Sequence, residues 1–205
     1  MKNIAITLTT IWVALMSGNL KAIEEAEYSV SLQQDAFEIR EYETSIVAEV
    51  IVSGDFENAS NKAFRKLFKY ISGDNKGRAK IAMTTPVSQA STPEKIKMTS
   101  PVSQQASAQG WVVSFMMPAS YTMETIPVPT DASVVLREVP AHRAAAVRYS
   151  GRWTEKGYQK HLALLQEWIE QSSFGANGEP VWARYNAPFT PWFMRRNEIL
   201  IALAP

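Results

Sequence analysis

From Ala59 to Ile71 the apolar residues fall at 59, 63, 64, 67, 68 and 71. That is the spacing of one helical face. Lys62, Arg65, Lys66 and Lys69 occupy the rest of the turn, and Ser72-Gly73 stops it. Between Thr154 and Gln171 a second such face comprises Tyr158, Leu162, Leu165, Trp168 and Ile169. Ahead of each helix the period changes. Phe37–Tyr42 alternates and Ser45–Val52 is rich in β-branched residues, so both predict strands. Gly54 and Gly151 provide the turn into each helix. Residues 181–185 and 198–203 predict closing strands, 174–180 a loop, and 121–130, with Pro127 and Pro129, a connector.

The chain also superposes on itself without a gap when shifted by 97 residues. Ile39-Arg40-Glu41-Tyr42 falls on Leu136-Arg137-Glu138-Val139, Val47–Val50 on Ala144–Val147, and Ser53-Gly54-Asp55-Phe56 on Ser150-Gly151-Arg152-Trp153. The shared unit predicts a β-hairpin followed by an amphipathic helix. Two such ββα halves, about 28–105 and 111–203, predict an α+β fold related by a pseudo-twofold, with the strands in one distorted antiparallel β-barrel or open curved sheet and two long helices outside. The halves need each other to form a core, so residues 23–205 read as a single domain. A shorter repeat lies between them: Lys80-Ile-Ala-Met-Thr-Thr-Pro-Val-Ser-Gln89 recurs fifteen residues later as Lys95-Ile-Lys-Met-Thr-Ser-Pro-Val-Ser-Gln104. Proline belongs at a strand edge or bulge. The pair reads as a hairpin packing Met83 and Met98 into a core, or as a sulfur-rich wall of an apolar pocket, since Met adapts to ligand shape.

Ile4–Met16 is an uncharged apolar run behind Lys2. It is shorter than the roughly 20 residues of a membrane span and fits a signal-peptide core. Cleavage after Ala22 removes Lys2 and Lys21 and no acid, leaving 19 cations against 20 acids. An exported, periplasmic protein without a membrane span in its mature chain is expected. The full chain, with 46% hydrophobic and 20% charged residues, has globular composition. Its net charge of +1 gives little attraction to a phosphate backbone, so nucleic acid is not an expected partner. A monomer is expected.

With no Cys there is no disulfide scaffold, thiol nucleophile, cysteine zinc site or covalent haem attachment. Neither a G-x-S-x-G, a G-x-G-x-x-G nor a P-loop is present. The pairs Arg40/Glu41 and Arg137/Glu138 read as surface or cross-strand charges. His161 lies at the margin of the second helix's apolar face and His142 just after Pro140, at an expected exposed turn.

The paired I-x-M-T-[TS]-P-V elements resemble the SOUL family of haem-binding proteins. So do Tyr28-Ser-Val, Phe37-Glu-Ile-Arg-Glu-Tyr42, Ala63-Phe-Arg-Lys-Leu-Phe-Lys-Tyr-Ile-Ser-Gly73, Arg184-Tyr-Asn-Ala-Pro-Phe and Arg195-Arg-Asn-Glu198, in family order over nearly all of residues 27–203. The resemblance implies two similar αβ halves around a distorted barrel. It also implies non-covalent binding of haem or a related tetrapyrrole in an apolar groove beside the first helix. The groove positions carried over are Phe64, Phe68 and Lys69, where two phenylalanines replace the family's methionines. A basic residue of the family's C-terminal loop is matched by Thr190, and Arg195 and Arg196 match a structural motif. His161 is the candidate axial iron ligand, beside a reading in which haem is held by apolar contacts alone. The implied function is a protein that carries, buffers or sequesters haem. The alternatives are a binding or sensor domain for another small apolar ligand and an enzyme acting on haem.

Overall fold

The computed structural model describes residues 23–78 and 92–204. The predicted signal segment and the first I-x-M-T-T-P-V copy lie outside the described residues. Nine strands form one sheet: β1 (Tyr28–Gln34), β2 (Phe37–Tyr42), β3 (Ser45–Val52), β4 (Val102–Ser107), β5 (Gly110–Met116), β6 (Val135–Val139), β7 (His142–Tyr149), β8 (Val181–Arg184) and β9 (Asn197–Ala202). Two helices, α1 (Phe56–Ser72) and α2 (Glu155–Glu170), complete the α+β fold. The strand order is β6-β3-β5-β4-β8-β9-β7-β2-β1, and every neighbouring pair is antiparallel. The sheet is therefore a curled half-barrel with open edges at β6 and β1.

The pairing departs from the expected hairpins in an informative way. β2 and β3 do not pair with each other, and neither do β6 and β7. Instead β3 pairs with β6, Val47 opposite Arg137, and β7 pairs with β2, Ala144 opposite Arg40. Adding 97 to Val47 and Arg40 gives Ala144 and Arg137, so the two ladders correspond. The connections Glu43-Thr44 and Pro140-Ala141 have hairpin length but lack a residue at positive φ, which the tight I′ and II′ turns require. Each strand pair therefore splays apart and its members find partners in the opposite half. The β1–β2 connection does have such a residue, Asp35 at φ 53°, and it closes a true hairpin.

Both helices pack on one face of the sheet. α1 covers Ala48 and Val50 of β3 and Val113 and Phe115 of β5 through Ala63, Leu67, Tyr70 and Ile71. α2 covers Ala145 and Val147 of β7 and Ile199 and Ile201 of β9 through Tyr158, Leu162, Leu165 and Ile169. Leu67 and Leu165 are wholly buried, each contributing about 2 kcal/mol of transfer free energy. Gly54 and Gly151 sit at φ 133° and 149°, where a side chain would be strained, and turn the chain into the helices. Asp55 and Thr154 then cap them, accepting from the Asn58 and Gly157 amides. α1 starts three residues before its apolar pattern does. The reason is Phe56, which reaches into the α2 core to stack on Trp182 and Tyr158.

Of the two repeated methionines, Met98 is largely exposed and Ile96 carries the burial, which corrects the expectation of a methionine packed in the core. Met83 lies outside the described residues. Thr99–Ser100 pairs with Glu24–Glu25, and β4 begins directly after Pro101.

Candidate functional site

The face opposite the helices is concave. Side chains at alternate positions, including Val47, Val112, Ser114, Met116, Ala144, Val181 and Leu200, reach one cavity of about 340 Å³. That is near the lower bound of ligand pockets, roughly 300 Å³. His142 stands at its mouth, half-buried, with its ring stacked on Tyr42 at 5.3 Å and Nδ1 2.9 Å from the Pro140 carbonyl. The same two rings line an adjoining, more open cavity of about 870 Å³, rimmed by Glu27, Glu41 and Glu43. His142 is thus half-buried at a strand start rather than exposed at a turn.

One end of this face is sealed by a buried ionic network. Arg40 donates two hydrogen bonds to Glu198, at 2.6 and 3.0 Å, and a third to Glu38 at 2.7 Å. Tyr185 and Arg196 also donate to Glu198, each at 2.8 Å. Arg40 and Glu198 are 1% and 0% exposed, so the surface reading of Arg40 is corrected: it is a cross-strand ion of the interior. The intervening β7 positions on this face are Ala144 and Ala146, small enough to leave room for the pair. Burial alone would raise the Glu198 carboxyl, but the hydrogen bonds and charge of Arg40, then of Arg196, hold it below the usual carboxylate range. Burial pushes the Tyr42 phenol up to about 12. The run Arg195-Arg196-Asn197-Glu198 now has a role at each position. Arg195 holds a loop, Arg196 joins Glu198 to Glu25, and Asn197 accepts from the Trp153 indole and donates to Gly151.

A second surface lies on the helix side. Ser60, Phe64 and Phe68 follow one another at i+4 along α1. Each step advances 400°, so the row drifts by about 40° per turn. Ser60 is buried, Phe64 half-buried and Phe68 46% exposed. Phe64 rests edge-on against Phe115 and stacks on Phe68 at 5.8 Å. At the buried end the Arg184 guanidinium donates to the Ser60 hydroxyl. It lies over Trp153 and Trp182, at 5.2 and 4.8 Å. Arg195 lies over the same Trp153 ring at 4.2 Å and donates to the Thr190 and Pro188 carbonyls. Ser60 of α1 is thus linked to the 188–194 loop through Arg184, Trp153 and Arg195 in turn. The loop presents Phe189, Trp192, Phe193 and Met194 outward, 90%, 48%, 61% and 65% exposed. Arg152 lies over Trp192 at 5.0 Å. Burial pushes the Arg184 guanidinium down to about 10.

Phe64 and Phe68 are therefore in contact, and Lys69 follows them on the exposed flank of α1, where it and Lys66 face Asp131. His161 belongs to the other half, 97 residues after Phe64. Its ring stacks on Tyr149 at 3.8 Å and its Nδ1 lies 2.7 Å from the Gly157 carbonyl. Arg184 and the exposed 189–194 residues were legible in the sequence only as residue types along the stretch from Arg184 to Met194. Nothing in their spacing reveals which aromatics face outward. Among the described residues no group of three or more His, Asp or Glu side chains could hold a metal ion, and no helix is long and apolar enough to cross a membrane.

The residues present suit an apolar, planar, anionic ligand: stacked aromatics on α1 and, among the described residues, three arginines with no carboxylate within 4.0 Å. Known proteins agree with the architecture. The C-terminal domain of EcmrR superposes with a TM-score of 0.57 at 13% identity, over 86% of this chain and 98% of that one. A hydrolase from Listeria innocua does so at 0.55 and 11%, over 85% and 94%. These likenesses concern the fold alone. Heme-binding protein 1 of Xenopus tropicalis is 29% identical over 165 residues, 80% of this chain and 82% of the relative. The Mus musculus protein of the same name is 27% identical over 149 residues, 72% and 73%. Residues 23–202 match the profile of the family described as SOUL heme-binding protein, and the chain belongs to that family.

Proposed function

We propose that the chain binds haem non-covalently on the surface built by Phe64 and Phe68 of α1 and the 188–194 loop, and that the exported mature protein carries or sequesters it. The single observation that supports this most is the outward exposure of Phe68 on α1 and of Phe189, Trp192, Phe193 and Met194 on a loop held by Arg195. Soluble proteins do not leave such groups outward without a use for them. A porphyrin has two apolar faces, on which aromatic rings stack, and one carboxylate edge. The relatives named heme-binding protein 1, covered over most of their length, support the same reading. Bound haem would supply a redox-active iron and a chromophore. The chain's residues bind it, orient it and shield it from water.

Haemin titration of residues 23–205, followed in the Soret region, tests the reading. A break at one haem per chain is expected. Phe68→Glu, an exposed change that spares the core, is expected to weaken binding at least tenfold. His161→Ala is expected to leave the Soret band unmoved, because the reading holds haem by apolar contacts and His161 sits in the other half. A featureless rise without saturation overturns the assignment. For the export half of the reading, the protein recovered from the periplasm is expected to begin at Ile23.

A second reading rests on the 340 Å³ concave cavity: a small apolar ligand bound there. It predicts that such a compound raises the melting temperature by linkage while haemin binds without fixed stoichiometry. A cationic ligand is disfavoured, because Glu198, a buried carboxylate on this face, is already neutralised by two arginines.

A further inference from the structure

We propose that Arg184, flanked by Arg195 and Arg152, is the carboxylate anchor of the α1 surface and takes a propionate-type carboxylate of the ligand. The identity of the ligand rests on the haem reading above; the anion site rests on its own geometry. Among the described residues, no carboxylate lies within 4.0 Å of Arg152, Arg184 or Arg195. Arg40, Arg137 and Arg196, by contrast, each have a close acid. Two guanidinium groups share the Trp153 ring and a third lies over Trp192. Gathering like charges in a half-buried place is unfavourable until an anion joins them.

Arg184 is also poorly used by the protein. Among the described residues its one hydrogen bond runs from Nη2 to the Ser60 hydroxyl, and Nε is buried without a partner. The planar fork held between Trp153 and Trp182 is rigid and matches a carboxylate edge. Its place is right for the aromatic surface, because Ser60 stands one turn before Phe64. It is also right for the loop. Thr190, where the family pattern has a basic residue, has its carbonyl bonded to Arg195. Lys69, the carried-over candidate, is exposed on α1 next to Phe68.

The experiment compares haemin with haemin dimethyl ester on the mature chain, unmodified and as Arg184→Gln, with Lys69→Gln beside it. The unmodified chain should bind the free acid about tenfold more tightly than the ester, the scale of a charged hydrogen bond. Arg184→Gln should abolish that preference while Lys69→Gln keeps it. Equal affinity for acid and ester in the unmodified chain overturns the proposal with no variant involved. So does a preference that survives in Arg184→Gln, or one lost in Lys69→Gln instead. If neither porphyrin binds, inorganic phosphate is the probe. A rise in melting temperature in the unmodified chain but not in Arg184→Gln keeps the anion site and removes the haem reading. No rise in either removes both.

Discussion

Glu198 illustrates what a single position contributes. Its carboxylate accepts from Arg40, Tyr185 and Arg196, so its loss leaves the buried Arg40 with Glu38 as its remaining acid and the part-exposed Arg196 with Glu25. Glu198→Gln is expected to lower the stability to urea by about 3–5 kcal/mol, the cost of breaking a buried pair from one side. The sign of its pH dependence follows from a carboxyl held low in the folded state. Its stabilisation is present above the unfolded value of about 4.3 and is lost as pH falls toward the folded value. The native protein should therefore lose more stability between about pH 5 and about pH 3 than Glu198→Gln does. A variant as steep as the native protein would contradict the assignment. Alternation along β2 leaves both a surface and a cross-strand place open to Arg40, because it distinguishes two faces of a strand but not whether the second face meets water. Here the curl of the sheet and the network at its end dry that face.

At the scale of elements, periodicity was a good guide to both helices and to most strands, and their caps fit the expected turns. Thr154→Ala, which removes the acceptor for the Gly157 amide at 3.2 Å, should cost about 1 kcal/mol in chemical denaturation. The same variant with serine in place of alanine should recover most of it, and failure to do so would show that the methyl rather than the hydroxyl matters. Pairing partners were harder to read. Two-residue connections at Glu43-Thr44 and Pro140-Ala141 resemble hairpin turns in length, yet the backbone there lacks the positive φ that would fold the strands back. The outward-facing loop was illegible for a different reason. Phe189, Trp192, Phe193 and Met194 are core-type residues by composition, and only Arg195's grip on Pro188 and Thr190 turns them toward solvent.

For the whole molecule, the exchange of strands ties the halves into one cooperative unit. β2 lies against β7 and β3 against β6, while β4 and β8 close the seam at the centre of the sheet. Each half keeps ladders of its own, β1–β2 in the first and β7–β9 and β8–β9 in the second, but loses the β2–β7, β3–β6 and β4–β8 pairings once the other opens. Urea unfolding followed by tryptophan fluorescence and by far-ultraviolet circular dichroism should therefore give coincident single transitions. Every tryptophan of the described residues lies between 111 and 192, so fluorescence follows the second half while circular dichroism follows the whole sheet, and transitions that differ between the two probes would rule out this coupling. The fold class and the location of the aromatic row on α1 were readable from the chain because both follow from local periodicity. The concave cavity and the arginine group were not, because each collects side chains from strands and loops far apart in sequence.

The exchanged ladders also say what half of this chain could do by itself. Alone, β2 and β3 would each present an unsatisfied edge. The surfaces able to satisfy them are those of β7 and β6, which occupy the corresponding positions in the other half. A second copy of the same half would offer equivalent surfaces, joined by a twofold axis through the β4–β8 seam. One continuous chain makes that assembly independent of protein concentration and frees the two copies to diverge. Divergence is visible at one pair of corresponding positions: Phe64, beside the exposed aromatics on one side, and His161, packed flat on Tyr149 on the other.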